Sequence, residues 1–368
     1  MSDEERELQL PIPLDLVPPA LRRMCDPAAP VPARTMAARG VVPAKGADLL
    51  LILAQLAHDP EASIRQTAHK SLTDMPEAIM ASALEGDVHR AVLHYLALEM
   101  PPLEGRTIQI ATHPAVADGT VLRIAAGATE VVSERIAQNE ARLLRCPAIV
   151  EALYKNPATR MSTTDRMIEL CARNGVRVHG IPGFEAIAES LGTQLIPEPS
   201  DEPLPTDAAF ATVMEAEDED AYDDDENLKK KFSSAAAEIA EMTLSEKIRA
   251  ATVGTAMHRA ILVRDSNRMV ALAVTESPRL SDAEAVRIAM SKQIGEDVLR
   301  GLANRRDVMR LYEMKKALAY NPKTPLSITL AVMNHLREND LKGLARSRGV
   351  PAAVVATAKN LMQRREKK

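Results

Sequence analysis

Two stretches of this chain, 165 residues apart, share one frame. Glu151-Ala-Leu-Tyr-Lys-Asn-Pro-Ala-Thr-Arg-Met-Ser162 and Lys316-Ala-Leu-Ala-Tyr-Asn-Pro-Lys-Thr-Pro-Leu-Ser327 both read Ala-Leu, then Asn-Pro-x-Thr, then Met or Leu followed by Ser. Residues 299–308 align with 341–350 at an offset of 42. Ala271-Leu-Ala with Leu280-Ser returns at an offset of 46 as Ala317-Leu-Ala with Leu326-Ser. A period in the forties, or two subunits of roughly half that, predicts units that stack because none can bury its apolar face alone.

Each unit reads as short helices separated by X-Pro steps. These occur at Asp59-Pro60, Met75-Pro76, His113-Pro114, Cys146-Pro147, Asn156-Pro157, Ser277-Pro278, Asn321-Pro322 and Val350-Pro351. Proline is tolerated in a helix's first turn and disfavours helix in the residue before it. From Ala47 the stripe Leu49, Leu50, Ile52, Leu53, Leu56 predicts a first helix, and a second follows over about 61–72. Capping boxes are expected at Ser162 with Asp165, Thr243 with Glu246 and Ser281 with Glu284. With no Trp, three Phe and five Tyr, strand formers are thin while helix formers abound, so the expected fold is all-α.

Leu56-Ala-His-Asp-Pro-Glu-Ala-Ser-Ile-Arg-Gln-Thr-Ala68 resembles a HEAT-type repeat, with Asp-Pro in the turn and an aliphatic-Arg pair opening the second helix. Ala317-Leu-Ala-Tyr-Asn-Pro-Lys-Thr-Pro-Leu-Ser-Ile-Thr-Leu330 resembles the leucine-rich-variant repeat of bacteria. The copies at Asn156 and Ser277 depart from it: Arg160 stands for the second proline, and Thr275-Glu276 for Asn-Pro. The C-terminal part also resembles a family of bacterial helical-repeat proteins without assigned function. The resemblance covers about two-thirds of the chain and implies an α-solenoid, a fold that hosts many roles. The cysteine cluster of iron–sulfur members of the leucine-rich-variant family is missing here.

The expected layout has four parts: a Pro-rich arm over 1–44, a helical-repeat lobe over 45–196, an acidic disordered linker over 197–227, and a second lobe over 228–368. The arm reads as loose, or alternatively as a cover for the first repeat. In the linker, residues 215–226 hold nine carboxylates in twelve positions, and like-charge repulsion opposes folding there. About thirty flexible residues span roughly 30 Å.

Charge is the one feature with functional content. Residues 228–368 carry 27 Lys and Arg against 14 Asp and Glu, a net +13 inside a chain of net −5. The basic residues expected to meet a partner are Arg305, Arg306, Arg310, Lys315, Lys316, Arg346 and Arg348. The bland alternative is solvated helix faces. The expected function is a non-enzymatic adaptor or scaffold whose second lobe binds an acidic protein partner, with the linker competing for the same surface. The alternative is nucleic-acid binding, against which the lobe offers only Phe232, Tyr312 and Tyr320 for stacking. A glycosylase-like enzyme is disfavoured for the same lack of aromatics.

Catalytic, metal and cofactor motifs are not found, so no such residues are expected. The eight histidines are scattered without H-E-x-x-H. The glycines of 174–183 lack the Lys-Ser/Thr of a phosphate loop and read as a helix-terminating turn. Cys25, Cys146 and Cys171 form neither a C-x-x-C pair nor an even set, which fits a reducing compartment. The acidic start Met1-Ser2-Asp3-Glu4-Glu5 is unlike a secretory signal. The apolar run near Leu49–Leu56 is too short to span a membrane, and a cytoplasmic location is expected.

Overall fold

The X-Pro steps end one helix and admit the next. In the computed structural model, which describes residues 7–192, 202–204, 206–208, 210–211, 225–347 and 349–366, every regular element among those residues is helical. The two expected helices lie at Ala47–Leu56 and Ala62–Thr73. Two of the three capping boxes form in full, at Thr243/Glu246 and Ser281/Glu284. The third, Ser162/Asp165, does not: the helix Met161–Arg173 already includes Ser162, and its N-cap is Arg160.

The chain divides into two compact units, Met1–Thr159 and Arg160–Lys368. The boundary follows the first Asn-Pro-x-Thr turn and lies well before the acidic segment. Residues 160–192, expected in the first lobe, pack within the second unit. Ser245 Oγ donates to Asp165 Oδ1 at 2.7 Å, and Gly183 lies so close to Ile248 and Met269 that a Cβ there would stand 3.2 and 3.1 Å from their side-chain ends.

In the first unit, Ala47–Leu56 packs on Arg90–Leu98, which packs on Asp118–Ala126, which packs on Pro147–Lys155. A second row runs through Glu77–Leu84, Glu104–Thr112 and Glu130–Ala137. The described part of the Pro-rich arm covers the first helix. Ile12, Val17 and Leu21 are buried, and Gln55 holds Ile12 on both sides, accepting from its N–H at 3.0 Å and donating to its carbonyl at 2.7 Å. The arm is therefore packed over these residues.

In the second unit the packing is next-but-one. Leu244–Val253 meets Arg268–Thr275, which meets Glu296–Asn304; Asp282–Met290 meets Tyr312–Tyr320, which meets Glu338–Arg346. The last helix, Ala352–Glu366, buries Val354 and Ala358 against Leu341 and Leu344.

Hydrogen bonds follow the same step. Arg34 reaches Asp59 (25 residues), His94 Thr120 (26), His113 Gly86 (27), Arg259 Glu284 (25), Arg305 Ser277 (28) and Asn321 Ala289 (32). The packing step is thus two helices in the second unit, while in the first Ala47–Leu56 to Arg90–Leu98 and Asp118–Ala126 to Pro147–Lys155 are steps of three. The sequence offsets of 42 and 46 carry a residue three helices onward instead, from Arg268–Thr275 to Tyr312–Tyr320 and from Glu296–Asn304 to Glu338–Arg346. They repeat local features, a turn after one helix and a Leu-x-Gly-Leu-Ala frame within another, so they do not report the packing step.

Candidate interaction site

The failed capping box marks the most unusual polar site in the second unit. A helix's first N–H groups lack partners within the helix, and a carboxylate is favoured there by both hydrogen bonding and the helix dipole. At Met161–Arg173 that carboxylate comes from Asp207, 45 residues away. Ser162 donates its backbone N–H to Asp207 Oδ1 and its hydroxyl to Oδ2, each at 2.8 Å. Leu204 N–H donates to the same Oδ2 at 3.0 Å, which orients the carboxylate from its own segment. Asp207 is 4 % exposed.

Three residues on, Phe210 is equally buried, and the guanidinium of Arg249 lies 4.9 Å from its ring centroid. Arg249 is fully buried and stands 3.7 Å from Met161 Sδ. Asp165, where a capping partner was expected, faces Ser245 and Arg249. Removal from water pushes its carboxyl up to about 7, opposed by the Ser245 hydrogen bond and the Arg249 charge and assisted by Glu246 and Asp207.

The expectation of an unfolded acidic linker therefore does not extend to Asp207 and Phe210. Residues 206–208 and 210–211 are helical, and both side chains are buried. The carboxylate run itself, apart from Asp225 and Glu226 at the start of a helix, lies outside the described residues.

The expected partner-binding cations separate into two groups. Arg305 is engaged in holding the fold: its Nη1 donates to the carbonyls of Thr275 (3.2 Å) and Ser277 (3.0 Å), and it pairs with Asp307 at 2.5 Å. That pairing holds the Asp307 carboxyl down at about 2. Lys316 pairs with Asp340 at 3.1 Å, and Tyr312 donates to the same carboxylate. Arg306, Arg310 and Arg346 are exposed and Lys315 is half-buried; none of the four has an ion-pair partner among the described residues. Arg348 lies outside the described residues. Arg346 joins two lysines that sequence spacing had not grouped with it. Lys342, Arg346 and Lys359 line a groove of about 310 Å³ with Ala345, Met362 and Gln363, Lys342 being paired with Glu338.

Among the described residues, no three His, Cys, Asp or Glu side chains converge as a metal site. Burial pushes the Cys25 and Cys171 thiols up to about 11, which leaves them protonated and unreactive near neutral pH. The Gly-rich turn works as backbone geometry. Gly175 and Gly183 take φ of +68° and +65°, the first ending one helix and the second opening the next. No helix among the described residues is long and apolar enough to cross a membrane. Compared with family models, curated proteins and solved structures, the chain gives no significant match to any of them.

Proposed function

We propose that this protein is a non-enzymatic adaptor, an α-solenoid of HEAT- and leucine-rich-variant-like repeats whose basic C-terminal helices bind an acidic protein segment. One observation carries the reading: Arg346 and Lys359 line one groove with Ala345 and Met362, beside Lys342, which is paired with Glu338. Such a groove offers charge for carboxylates and apolar area for the backbone between them. The next-but-one packing of helices in the second unit and its 25–32-residue hydrogen bonds support the solenoid reading.

The carboxylates of 215–226 compete for the same groove, because carriage on the same chain raises their effective concentration there. Protein is favoured over nucleic acid as the partner because no aromatic lines the groove and two of the three aromatics of residues 228–368 are already engaged. Tyr312 and Tyr320 donate to the carboxylate and the carbonyl of Asp340, and Arg337 covers the Tyr312 ring.

The test is a labelled peptide of residues 215–226 titrated into the full chain, into a chain lacking 215–226, and into the charge reversal R346E/K359E. Binding is expected to tighten on deletion, weaken with salt and vanish on reversal. Absence of binding to the deleted chain at low salt rejects the reading, and tight duplex DNA binding in a parallel titration transfers it to nucleic acid.

A further inference from the structure

The Asn-Pro-x-Thr frame occurs twice, and its two copies open the same kind of helix in different surroundings. We propose that the second copy, at the start of the helix Leu326–Met333, is a docking site for a partner protein. It takes one aspartate or glutamate side chain, flanked by aliphatic residues that cover Leu326. This site uses other residues than the Arg346 groove and does not rest on that reading.

Three pairs of equivalent positions carry the comparison. Both helices begin at the same place in the frame, Met161 and Leu326. Their N-caps share one backbone form, Arg160 at φ −59°, ψ 149° and Pro325 at φ −51°, ψ 135°, and neither first turn holds an acidic residue. Ser162, second in its helix, gives its N–H and its hydroxyl to the two oxygens of Asp207, at 2.8 Å each. Ser327, second in its helix, is exposed, and neither group has a partner among the described residues. Met161 is 2 % exposed, but Leu326 is 46 % exposed. Thr159 donates its hydroxyl to Ser133 Oγ at 3.2 Å, whereas Thr324 Oγ1 is buried without a partner. The first copy therefore shows what this helix start holds: a carboxylate with two acceptor oxygens, reached from a distant segment.

The surroundings of Ser327 define the rest of the ligand. Leu326 lines a groove of about 540 Å³ with Pro322, Pro325, Pro351 and Val354, walls that suit aliphatic side chains. Thr324, 6 % exposed, lines the same groove, and its unbonded hydroxyl marks a place where a further polar partner is wanted. Ala353 and Val354 bring a second helix start to the groove, that of Ala352–Glu366, whose first turn also lacks an acidic residue. Two helix starts, each with partial positive charge and unmatched N–H groups, favour an anion between them. Lys323 adds a cation, its Nζ donating to Gln293 O at 3.3 Å. Glu296 sets the limit: it lines the groove, paired with Arg300, and repels a second acid. One carboxylate among aliphatic residues is thus favoured over an unbroken acidic run such as 215–226.

The test uses the full chain and, as probe, the segment that serves the first copy: a fluorescent peptide of residues 202–211, with its single aspartate between Leu204 and Phe210. The peptide is expected to bind the unsubstituted chain in an anisotropy titration. Its affinity should fall at least about tenfold when its own aspartate is replaced by asparagine, and as much when the chain carries S327A. A second variant, L326D, places an acid in the first turn, where it favours the helix, and is expected to abolish binding by repulsion. The charge reversal R346E/K359E is expected to leave this binding unchanged, which separates the two sites. Absence of binding to the unsubstituted chain, or binding indifferent to S327A and L326D, overturns the proposal. Loss of binding with R346E/K359E but not with S327A assigns the peptide to the Arg346 groove and also overturns it.

Discussion

Asn156 and Asn321, 165 residues apart, make the same three hydrogen bonds. Asn156 Nδ2 donates to the carbonyls of Ala125 (3.0 Å) and Ala128 (2.8 Å), and its Oδ1 accepts from Ala158 N–H (3.0 Å). Asn321 Nδ2 donates to Ala289 (2.7 Å) and Ser291 (3.0 Å), and its Oδ1 accepts from Lys323 N–H (3.0 Å). Each residue is 4 % exposed and ties its own turn to the end of an earlier helix, Asp118–Ala126 for Asn156 and Asp282–Met290 for Asn321. Ser277 does the same job with one atom, donating to Thr252 O at 2.5 Å and accepting from Arg279 N–H at 3.2 Å. His113 accepts from Ala115 N–H and bonds Gly86 O. Asp59 accepts from Glu61 N–H and, having no donor to offer, is met by Arg34 instead.

Asn321→Asp should therefore cost more stability than Asn321→Ala. Alanine leaves two carbonyls and one amide unmet, a loss of about 1–3 kcal/mol. Aspartate keeps the amide bond but turns a charge onto two carbonyls with no arginine to answer it. Urea unfolding of both variants orders them, and a milder aspartate removes this account of the turn.

Gly301 and Gly343 occupy the same place in the repeated Leu-x-Gly-Leu-Ala frame, and both permit close approach of a helix. A Cβ on Gly301 would stand 2.7 Å from Thr275 Oγ1, and one on Gly343 would strike the Tyr320 hydroxyl. Ala favours helix over Gly by about 1 kcal/mol, but overpacking of this kind costs about 1–3 kcal/mol. Gly301→Ala is expected to lose stability, and T275A/G301A to regain it. A single variant more stable than the parent would show that the contact yields freely.

Arg259 and Glu284 form a buried pair, with Arg259 Nη2 donating to both carboxylate oxygens at 3.0 and 3.1 Å and Nη1 to Gly254 O at 2.6 Å. Glu284 also accepts from the Ser281 N–H, closing its capping box. Arg259→Met strands a buried carboxylate and should cost about 3–5 kcal/mol. The double variant R259M/E284Q should recover part of that loss in thermal unfolding. No recovery would place the effect in arginine packing alone.

Asp165 gives the second unit a pH dependence of defined sign. Its folded-state value of about 7 lies above the ordinary 3.8, so the folded form keeps a proton that the unfolded form releases. The stability it contributes is fully present below about pH 4, falls as pH rises, and is gone once pH passes about 7. Asp165→Asn keeps an acceptor for Ser245 and cannot ionise. It should raise the melting temperature at pH 8 by roughly 2–4 °C for each kcal/mol recovered and change it little at pH 4. Equal shifts at both values would exclude ionisation as the cause.

Local chemistry was legible in the residues themselves. Ala47–Leu56 and Ala62–Thr73 follow from apolar spacing, and the boxes at Thr243 and Ser281 close within three residues of sequence. The Asn-Pro-x-Thr frame announced a repeated turn but not its target, because its hydrogen bonds end 28–32 residues earlier. Charge and repeat position single out the seven basic residues. Packing engages Arg305 and Lys316 in bonds of their own and joins Arg346 to Lys342 and Lys359.

Ser162 shows where the division falls. Its spacing to Asp165 satisfies the capping-box pattern, and nothing in the sequence distinguishes it from Ser281 and Glu284. The sequence by itself determined that this chain builds short helices, where they break, and that one turn chemistry recurs, since those depend on backbone bonds and propensities a few residues long. Only the tertiary structure decided that Asp207 fills the helix start at Ser162, that Asp165 turns to Ser245, and that the helices of the second unit step by two. A carboxylate 45 residues away competes with one three residues away only once burial has brought both to the same amide, and that competition is settled by packing.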